Sequence, residues 1–187
     1  AGIEVDELDN LLPLVARGEF EVEERPTLQV QLDSGDGGVV EDWALNEVSI
    51  EKTARQRLLV MDVHVGESLF ARVPADALVI ATATGSTAYG FSAGGPILSP
   101  NVDATVVIPV APHSLFGRAL VVGADEVIRV RVLEDQAPAV ASCDGRSPIS
   151  VPEGGWVAAV GRGRPVRIAR TGDGDFYSLV RRKFGLR

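Results

Sequence analysis

The twelve residues TGSTAYGFSAGG at positions 84–95 are the stretch whose types and spacing best suit chemistry. They hold five hydroxyl groups and four glycines, and they follow the apolar run ALVIAT. Such a loop offers backbone N–H groups and hydroxyls at low steric cost, and these groups bind ribose, amide and phosphate oxygens well. The composition fits a polar turn with a Schellman-type Gly-Gly stop equally well. It is not a Walker loop, because the lysine is missing, and GxGxxG spacing is also absent.

Single residues, both inside and outside this stretch, are weaker candidates, and each has a structural alternative. Glu47 in LNEV fits the polar alternate of an edge strand, and Asp76 fits a turn cap. Tyr89 fits the core, His64 an exposed position on its strand, and His113 a loop. The lone Cys143 reads as a small buried apolar residue.

The elements that must position these residues are almost all strands. In EVIRVRVLE, the residues Ile128, Val130 and Val132 alternate with arginines, which predicts a half-buried strand. DALVIAT has no polar alternate and predicts a strand covered on both faces. About ten such runs, VVEDWALNEVSIE, WVAAV and PVRIAR among them, predict a mostly β chain of two packed, sandwich-like sheets. Helices are expected only at the ends, in VDELDNLLPLVARGE and DFYSLVRRKFG.

Composition limits the class of protein. The 187 residues are 45% hydrophobic and 24% charged, which fits one well-cored domain over residues 1–187. No apolar run is long enough to span a membrane, and the acidic start does not resemble a secretory signal, so the cytoplasm is the expected location. A single cysteine excludes an internal disulfide, and two histidines argue against structural zinc. The net charge of −8 and the few aromatic residues argue against nucleic-acid binding.

Several segments in one order carry a family resemblance. ATATGSTAYGFSAGGPILSP resembles the central signature of NAD kinases. Before this segment, ALNEVSI resembles the family's Asn-Glu motif, and PADALVIAT resembles the lead-in to the signature. After it, VIPVAPHSLFGRALVV resembles the P-H-S-L segment, ASCDGR resembles the D-G turn, and RKFGL resembles the C-terminal helix. Two departures lie in the signature, where Ala83 replaces the usual proline and Gly90 a common serine. The resemblance covers essentially the entire chain.

The resemblance implies phosphoryl transfer from ATP or polyphosphate, with Mg²⁺ or another divalent cation, to the 2′-hydroxyl of the adenosine ribose of NAD, giving NADP. It implies that Asn46 and Glu47 bind the adenine and ribose, and that Asp76 binds the nicotinamide carboxamide. Asp144 would lie near the site. The pocket around the nucleotides would be lined by Thr84, Thr87, Ala88, Tyr89 and Ser92. Members of this family usually assemble through this region, so a homodimer or homotetramer is expected.

The family's G-G-D-G-T motif, whose aspartate is the presumed general base, does not occur in the sequence. Asp36 in SGDGG and Asp173 in TGDGD read as turn residues instead. We therefore expect this chain to be the family's C-terminal β-rich domain without its N-terminal α/β domain, which would hold the donor and its cation. Alone, it would bind but not catalyse. The alternatives are a non-catalytic nucleotide sensor and the second domain of a lipid kinase of the diacylglycerol kinase type.

Overall fold

A computed structural model describes residues 8–33, 35–114, 117–135, 137–170 and 175–185. The chain forms two compact units. One contains residues 1–25 and 165–187, and the other contains residues 26–164. The prediction of a single domain over the whole chain stays a prediction.

The described residues contain twelve strands and three short helices, joined by turns and loops. The strands are β1 Glu21–Asp33, β2 Val39–Ala44, β3 Glu47–Lys52, β4 Leu59–Val65, β5 Ser68–Ala75, β6 Ala77–Thr82, β7 Ala104–Val110, β8 Leu120–Gly123, β9 Ile128–Val132, β10 Ala139–Cys143, β11 Ile149–Val151 and β12 Trp156–Arg170. The helices are α1 Leu8–Ala16, α2 Tyr89–Ser92 and α3 Phe176–Phe184, and a 3₁₀ turn covers Gly85–Thr87.

The strands form two six-stranded sheets. The first has the order β2-β1-β12-β9-β4-β5, and the second has the order β11-β10-β3-β6-β7-β8. A single apolar cluster in the larger unit takes residues from both sheets, among them Leu28, Ile50, Met61, Ile80 and Ile128. The prediction of a mostly β chain with two packed sheets and short helices is confirmed.

Two strand predictions are confirmed residue by residue. In β9, the side chains of Ile128, Val130 and Val132 are buried and the intervening arginines are exposed. All six residues of β6 are buried, because one face of the strand joins the main core and the other face joins a second, smaller apolar cluster. This strand lies inside the second sheet, between β3 and β7.

Three predictions about elements are wrong. The run VVEDWALNEVSIE is two strands that belong to different sheets, because the chain crosses between the layers at Leu45 and Asn46. WVAAV and PVRIAR form one continuous strand, β12, despite two glycines. Helix is not confined to the ends, since residues 85–92 form short helical turns that depend on tertiary contacts.

The smaller unit joins oppositely charged parts of the chain. Glu23 lies 2.8 Å from Arg25 and 3.4 Å from Arg170. Helix α3 begins after Asp175, whose carboxylate accepts a hydrogen bond from the Ser178 N–H at 2.8 Å, and it ends at Gly185 with φ +63°. These are the side-chain cap and the left-handed glycine expected at the two ends of a helix.

Strands β1 and β2 form a hairpin, with Asp33 opposite Val39. The Asp36 carboxylate accepts a hydrogen bond from the Gly38 N–H at 2.9 Å, which confirms Asp36 as a turn residue. Asp173 lies outside the described residues. No helix in the described part of the chain is long and apolar enough to cross a membrane.

Candidate functional site

A cleft of about 460 Å³ lies on the outer face of the second sheet. Its volume is in the range of small-molecule sites. Strands β3 and β10, the turn after β10 and the first residue of α2 supply its walls. The lining residues are Glu47, Ser49, Glu51, Tyr89, Val140, Ser142, Gly145 and Pro148.

Strand alternation gives β3 its two different faces. Val48 and Ile50 belong to the main core, so Glu47, Ser49 and Glu51 point to the opposite face of the sheet. Because β3 lies between β10 and β6, Glu47 is not on an edge strand, and that alternative for Glu47 is wrong.

The register between β3 and β10 completes the cleft floor. Ser142 lies opposite Ser49, and Val140 lies opposite Glu51. Residues two apart on a strand point to the same face, so the sequence alone could have identified Ser49 and Glu51 as neighbours of Glu47. Val140 and Ser142 carry no such signal, since only the pairing of distant strands brings them to this face.

Tyr89 reaches the cleft from the helical segment that covers the rest of the sheet face. It packs against the smaller apolar cluster of Val79, Ala81, Val106 and Ile108 while also lining the cleft. Tyr89 therefore has one side in the core and one side in the cleft, and its contact with a nucleotide stays a prediction.

The Gly-Gly stop of this segment has Schellman geometry. Gly94 has φ +85°, and the Gly95 N–H donates a hydrogen bond to the Gly90 carbonyl at 2.9 Å. The helical segment therefore ends where the sequence pattern predicts a stop.

Two buried hydroxyls anchor the beginning of the segment. Thr82 donates to the Leu45 carbonyl at 2.7 Å and accepts from the Gly85 N–H at 3.1 Å. Ser86 donates to the Ala83 carbonyl at 2.6 Å and accepts from the Leu98 N–H at 2.9 Å. These hydroxyls hold the loop, so part of the Ser and Thr content of the signature is structural.

Asp144 organises the point where the chain changes sheets. It has φ +49°, and its carboxylate accepts hydrogen bonds from the N–H groups of Leu45, Asn46 and Glu47 at 2.7, 2.8 and 3.1 Å. The described partners of this carboxylate are backbone groups, so Asp144 fixes the backbone that carries Asn46 and Glu47. The sequence leaves its role open, and the structure gives it a positioning role.

Glu47 is the chemically distinctive side chain of the cleft. Its Oε2 atom is buried and has no hydrogen-bond partner among the described residues. Burial, and secondly the negative charge of Asp144, raise the pKa of Glu47 to about 7, against a smaller opposite effect of the Tyr89 N–H. An acceptor kept without a partner in a cleft is suited to a hydroxyl donor on a ligand.

The Glu47→Gln substitution should reveal this raised pKa as a pH-dependent stability difference. Folding raises the pKa from 4.5 to about 7, so the folded protein takes up a proton in that window and loses stability as pH rises through it. Between pH 5 and pH 8, the free energy of unfolding of the neutral variant should therefore rise relative to that of the wild type. The rise should be about 1 kcal/mol, because the half-exposed group is screened by solvent. Denaturant unfolding at several pH values measures this, with Glu41→Gln on exposed β2 as the control. A difference that does not change with pH would contradict it.

The remaining predicted residues are only partly brought together. The Asn46 carbonyl accepts from the Thr82 N–H at 2.9 Å, and its side chain is half-buried. Thr84 Oγ1 is buried without a partner among the described residues, and Thr87 Oγ1 donates to the Thr84 carbonyl. Ala88 is half-buried and Ser92 is exposed. None of these five residues is among the described residues that line the cleft.

Asp76 lies apart from the cleft. Its carboxylate is 2.5 Å from Lys52 Nζ and 3.8 Å from His113 Nε2, and the lysine holds the pKa of Asp76 below its usual value. Ala81, opposite Glu47, is five residues further along β6, or about 17 Å at the rise of a strand. One copy of the chain therefore places Asp76 and Glu47 at opposite ends of the sheet.

The cleft has a mixed lining. Two carboxylates, Glu47 and Glu51, and two hydroxyls, those of Ser49 and Ser142, line it together with the apolar surface of Tyr89, Val140 and Pro148. The lining by itself therefore does not separate a nucleotide from the acyl chain that the lipid-kinase alternative needs. Within the described ranges, no group of three His, Cys, Asp or Glu side chains could hold a metal ion.

Comparison with known proteins settles the family. The sequence profile described as the ATP-NAD kinase C-terminal domain matches residues 45–170. The chain belongs to this family. Its NAD kinase relatives include the NAD kinase of Leifsonia xyli subsp. xyli, 42% identical over 184 residues that cover 96% of this chain and 60% of the relative. The NAD kinase of Nocardia farcinica is 40% identical over 98% of this chain and 56% of its own length.

Solved structures of an NADH kinase and of an NAD kinase share the fold. Yeast NADH kinase complexed with NADH has a TM-score of 0.89 at 24% identity, covering 100% of this chain and 55% of the yeast chain. An NAD kinase from Archaeoglobus fulgidus in complex with ATP has a TM-score of 0.70 at 25% identity, covering 87% and 60% of the two chains. The resemblance inferred from the motifs is confirmed. The chain spans about 60% of the length of the curated NAD kinases that it matches.

Proposed function

We propose that this chain is the NAD-binding part of an NAD kinase that phosphorylates the 2′-hydroxyl of the adenosine ribose of NAD. The observation that carries the proposal is the buried Oε2 atom of Glu47, which has no hydrogen-bond partner among the described residues and lies beside Tyr89 in the cleft. The NADH and ATP complexes of its structural neighbours support nucleotides as the ligands.

The cleft can bind an adenosine by ordinary contacts. In the cleft, Glu47 accepts hydrogen bonds from ribose hydroxyls and the Tyr89 ring stacks on the base. The amide of Asn46, the residue before Glu47, reads the edge of the base from beside the cleft. Ser49 and Ser142 add hydroxyls on the cleft floor. Thr84 Oγ1, which is buried without a partner among the described residues, is suited to form one more hydrogen bond with the ligand.

The nicotinamide end requires a separate contact. We propose that Asp76 accepts a hydrogen bond from the carboxamide NH₂, either from an extended dinucleotide on one copy or across the interface of a homodimer or homotetramer. Opposite charges and apolar strands supply contact material for such an assembly.

The chemical step is proposed to need groups outside this chain. The sequence has no G-G-D-G-T motif, Asp36 is held in a hairpin turn, and Asp144 is held by three backbone N–H groups. Phosphoryl transfer depends on a positioned base and on a metal-bound donor. The chain would position the accepting hydroxyl, and a divalent cation with ATP or polyphosphate would be held elsewhere.

The Asn46→Ala substitution tests the nucleotide site. Loss of a half-buried amide that pairs with the base should weaken NAD or NADP binding by about 1–3 kcal/mol and leave the melting temperature nearly unchanged. Titration calorimetry with a parallel thermal melt measures both quantities. Asn101→Ala, in an exposed turn, is the matched control. Unchanged affinity in the Asn46 variant would remove this residue from the site.

A turnover assay tests the division of labour. The purified chain with NAD, magnesium and either ATP or polyphosphate should give no NADP, although it binds the dinucleotide, because a positioned base alone contributes about 10²–10⁴-fold. NADP is measured with a dehydrogenase specific for it, and the Leifsonia xyli NAD kinase serves as the positive control. Turnover within tenfold of the roughly 1–100 s⁻¹ of ordinary kinases would show that the base lies in this chain.

A further inference from the structure

A second cleft, of about 480 Å³, lies on the outer face of the first sheet. None of its described lining residues belongs to the cleft that contains Glu47, which lies on the other sheet. Its lining residues are His64, Gly66, Glu67, Arg129, Arg131, Gly154 and Trp156. We call it the arginine cleft.

Strand pairing gathers its cationic and aromatic side chains. Strand β9 lies between β4 and β12, and Arg129 and Arg131 project from its solvent face. His64 on β4 lies opposite Arg129, and Trp156 on β12 lies opposite Arg131. Residues 64, 129, 131 and 156 are thus neighbours on one face although they are far apart in the sequence.

The positive charge of the arginine cleft is only partly compensated. The Arg129 guanidinium lies over the Trp156 ring at 5.7 Å and has no ion pair among those of the described residues. Arg131 donates to the Gly154 carbonyl at 3.3 Å. Asp62 on β4 lies opposite Arg131 and interacts electrostatically with Arg131 and His64. Its carboxylate also accepts two hydrogen bonds from Arg72, at 2.8 and 2.9 Å. Among the described residues that line the cleft, Glu67 is the one carboxylate, in a chain whose net charge is −8.

His64 supplies an independent observation. Its Nδ1 atom is buried and has no hydrogen-bond partner in the described part of the chain. The alternating pattern predicts an exposed His64, and that prediction is wrong, because β4 is an inner strand and the imidazole is half-buried opposite Arg129. A buried polar atom without a partner calls for a bound water, ion or ligand.

We propose that the arginine cleft binds a small organic anion through a phosphate or carboxylate group. Guanidinium groups pair with such oxyanions through two parallel hydrogen bonds, and stacking on Trp156 leaves the N–H edges of Arg129 free to do so. The His64 imidazole donates or accepts a further hydrogen bond. Because the cleft volume far exceeds that of a bare ion, the ligand is a metabolite that carries the anionic group.

Calorimetric titration of the chain with inorganic phosphate, glycerol 3-phosphate and citrate, at constant ionic strength set with chloride, tests the proposal. We expect saturable binding of at least one probe. Preference for the two phosphates identifies a phosphate group as the ligand, and preference for citrate identifies a carboxylate. Binding of the free phosphate as tightly as the ester would contradict an organic ligand.

Variants locate the binding. Arg129→Gln should weaken it about 10-fold to 100-fold, the usual effect of losing a charged hydrogen-bond donor. The exposed Arg55→Gln removes the same charge elsewhere and should leave the affinity within about twofold. NAD affinity should be the same in all these proteins. If Arg129→Gln does not fold, Arg131→Gln provides the same comparison.

Three further results would overturn the proposal. They are no saturable binding of any probe, equal weakening by Arg55→Gln and Arg129→Gln, or an anion affinity that is unchanged by the cleft variants. A loss of NAD binding in Arg129→Gln with no anion binding would place the residue in the nucleotide function instead.

Discussion

The Gly85→Ala substitution should abolish NAD binding and destabilise the chain by about 3 kcal/mol. A Cβ atom at this position would lie 2.0 Å from the Asn46 carbonyl oxygen and 2.4 Å from its carbon. Both are backbone atoms, and that carbonyl also accepts the Thr82 N–H. The helical segment must therefore move away from β3, which costs more than an ordinary overpacked side chain and displaces Tyr89 from the cleft.

Denaturant unfolding and calorimetric titration with NAD measure the two effects. Gly37→Ala is the control, because a Cβ there meets no atom within 4 Å and only the left-handed φ of +87° opposes it. That control should cost about 1 kcal/mol and leave NAD binding intact. Equal effects of the two substitutions would show that the contact between the signature loop and Asn46 is not required.

The Asp144→Ala substitution should cost about 3 kcal/mol and weaken NAD binding about 10-fold or more. It leaves three partly buried N–H groups, those of residues 45–47, without their carboxylate acceptor. It also removes the charge that helps to raise the pKa of Glu47, so that this pKa should fall from about 7 towards the usual value, with burial still keeping it above 4.5.

Asp135→Ala is a matched control for this substitution. Asp135 has φ +58°, close to the +49° of Asp144, and it is exposed, so it reports the cost of alanine in the left-handed region alone. Unfolding experiments give the two stabilities, and carboxyl chemical shifts followed by NMR give the Glu47 pKa. Equal destabilisation by the two variants, with an unmoved Glu47 pKa, would contradict the positioning role of Asp144.

Local sequence determined the features that depend on near neighbours. Alternation in IRVRV fixed the faces of β9, and the Gly-Asp-Gly composition of residues 35–37 fixed the β1–β2 hairpin. Asp175 and Gly185 marked both ends of α3, and the Gly94-Gly95 pair marked the end of the helical segment in the signature loop. In each case the deciding interaction spans a few residues, so the pattern contains it. The motifs, which occur in the family's order along the chain, were likewise enough to identify the family from the sequence.

Tertiary structure decided the features that depend on pairing between distant segments. The run around Asn46 has a continuous strand pattern, yet the Asp144 carboxylate, 98 residues away, holds the break at which the chain changes sheets. Thr82 and Ser86 have the same composition signal as ligand-binding hydroxyls, and only their burial shows that they anchor the loop. Ser142 joined Ser49 through strand register, and Asp76 was separated from Glu47 by the length of β6. Such relations arise because a sheet places residues by the pairing of its strands, and a single strand's sequence does not specify its partner or its register.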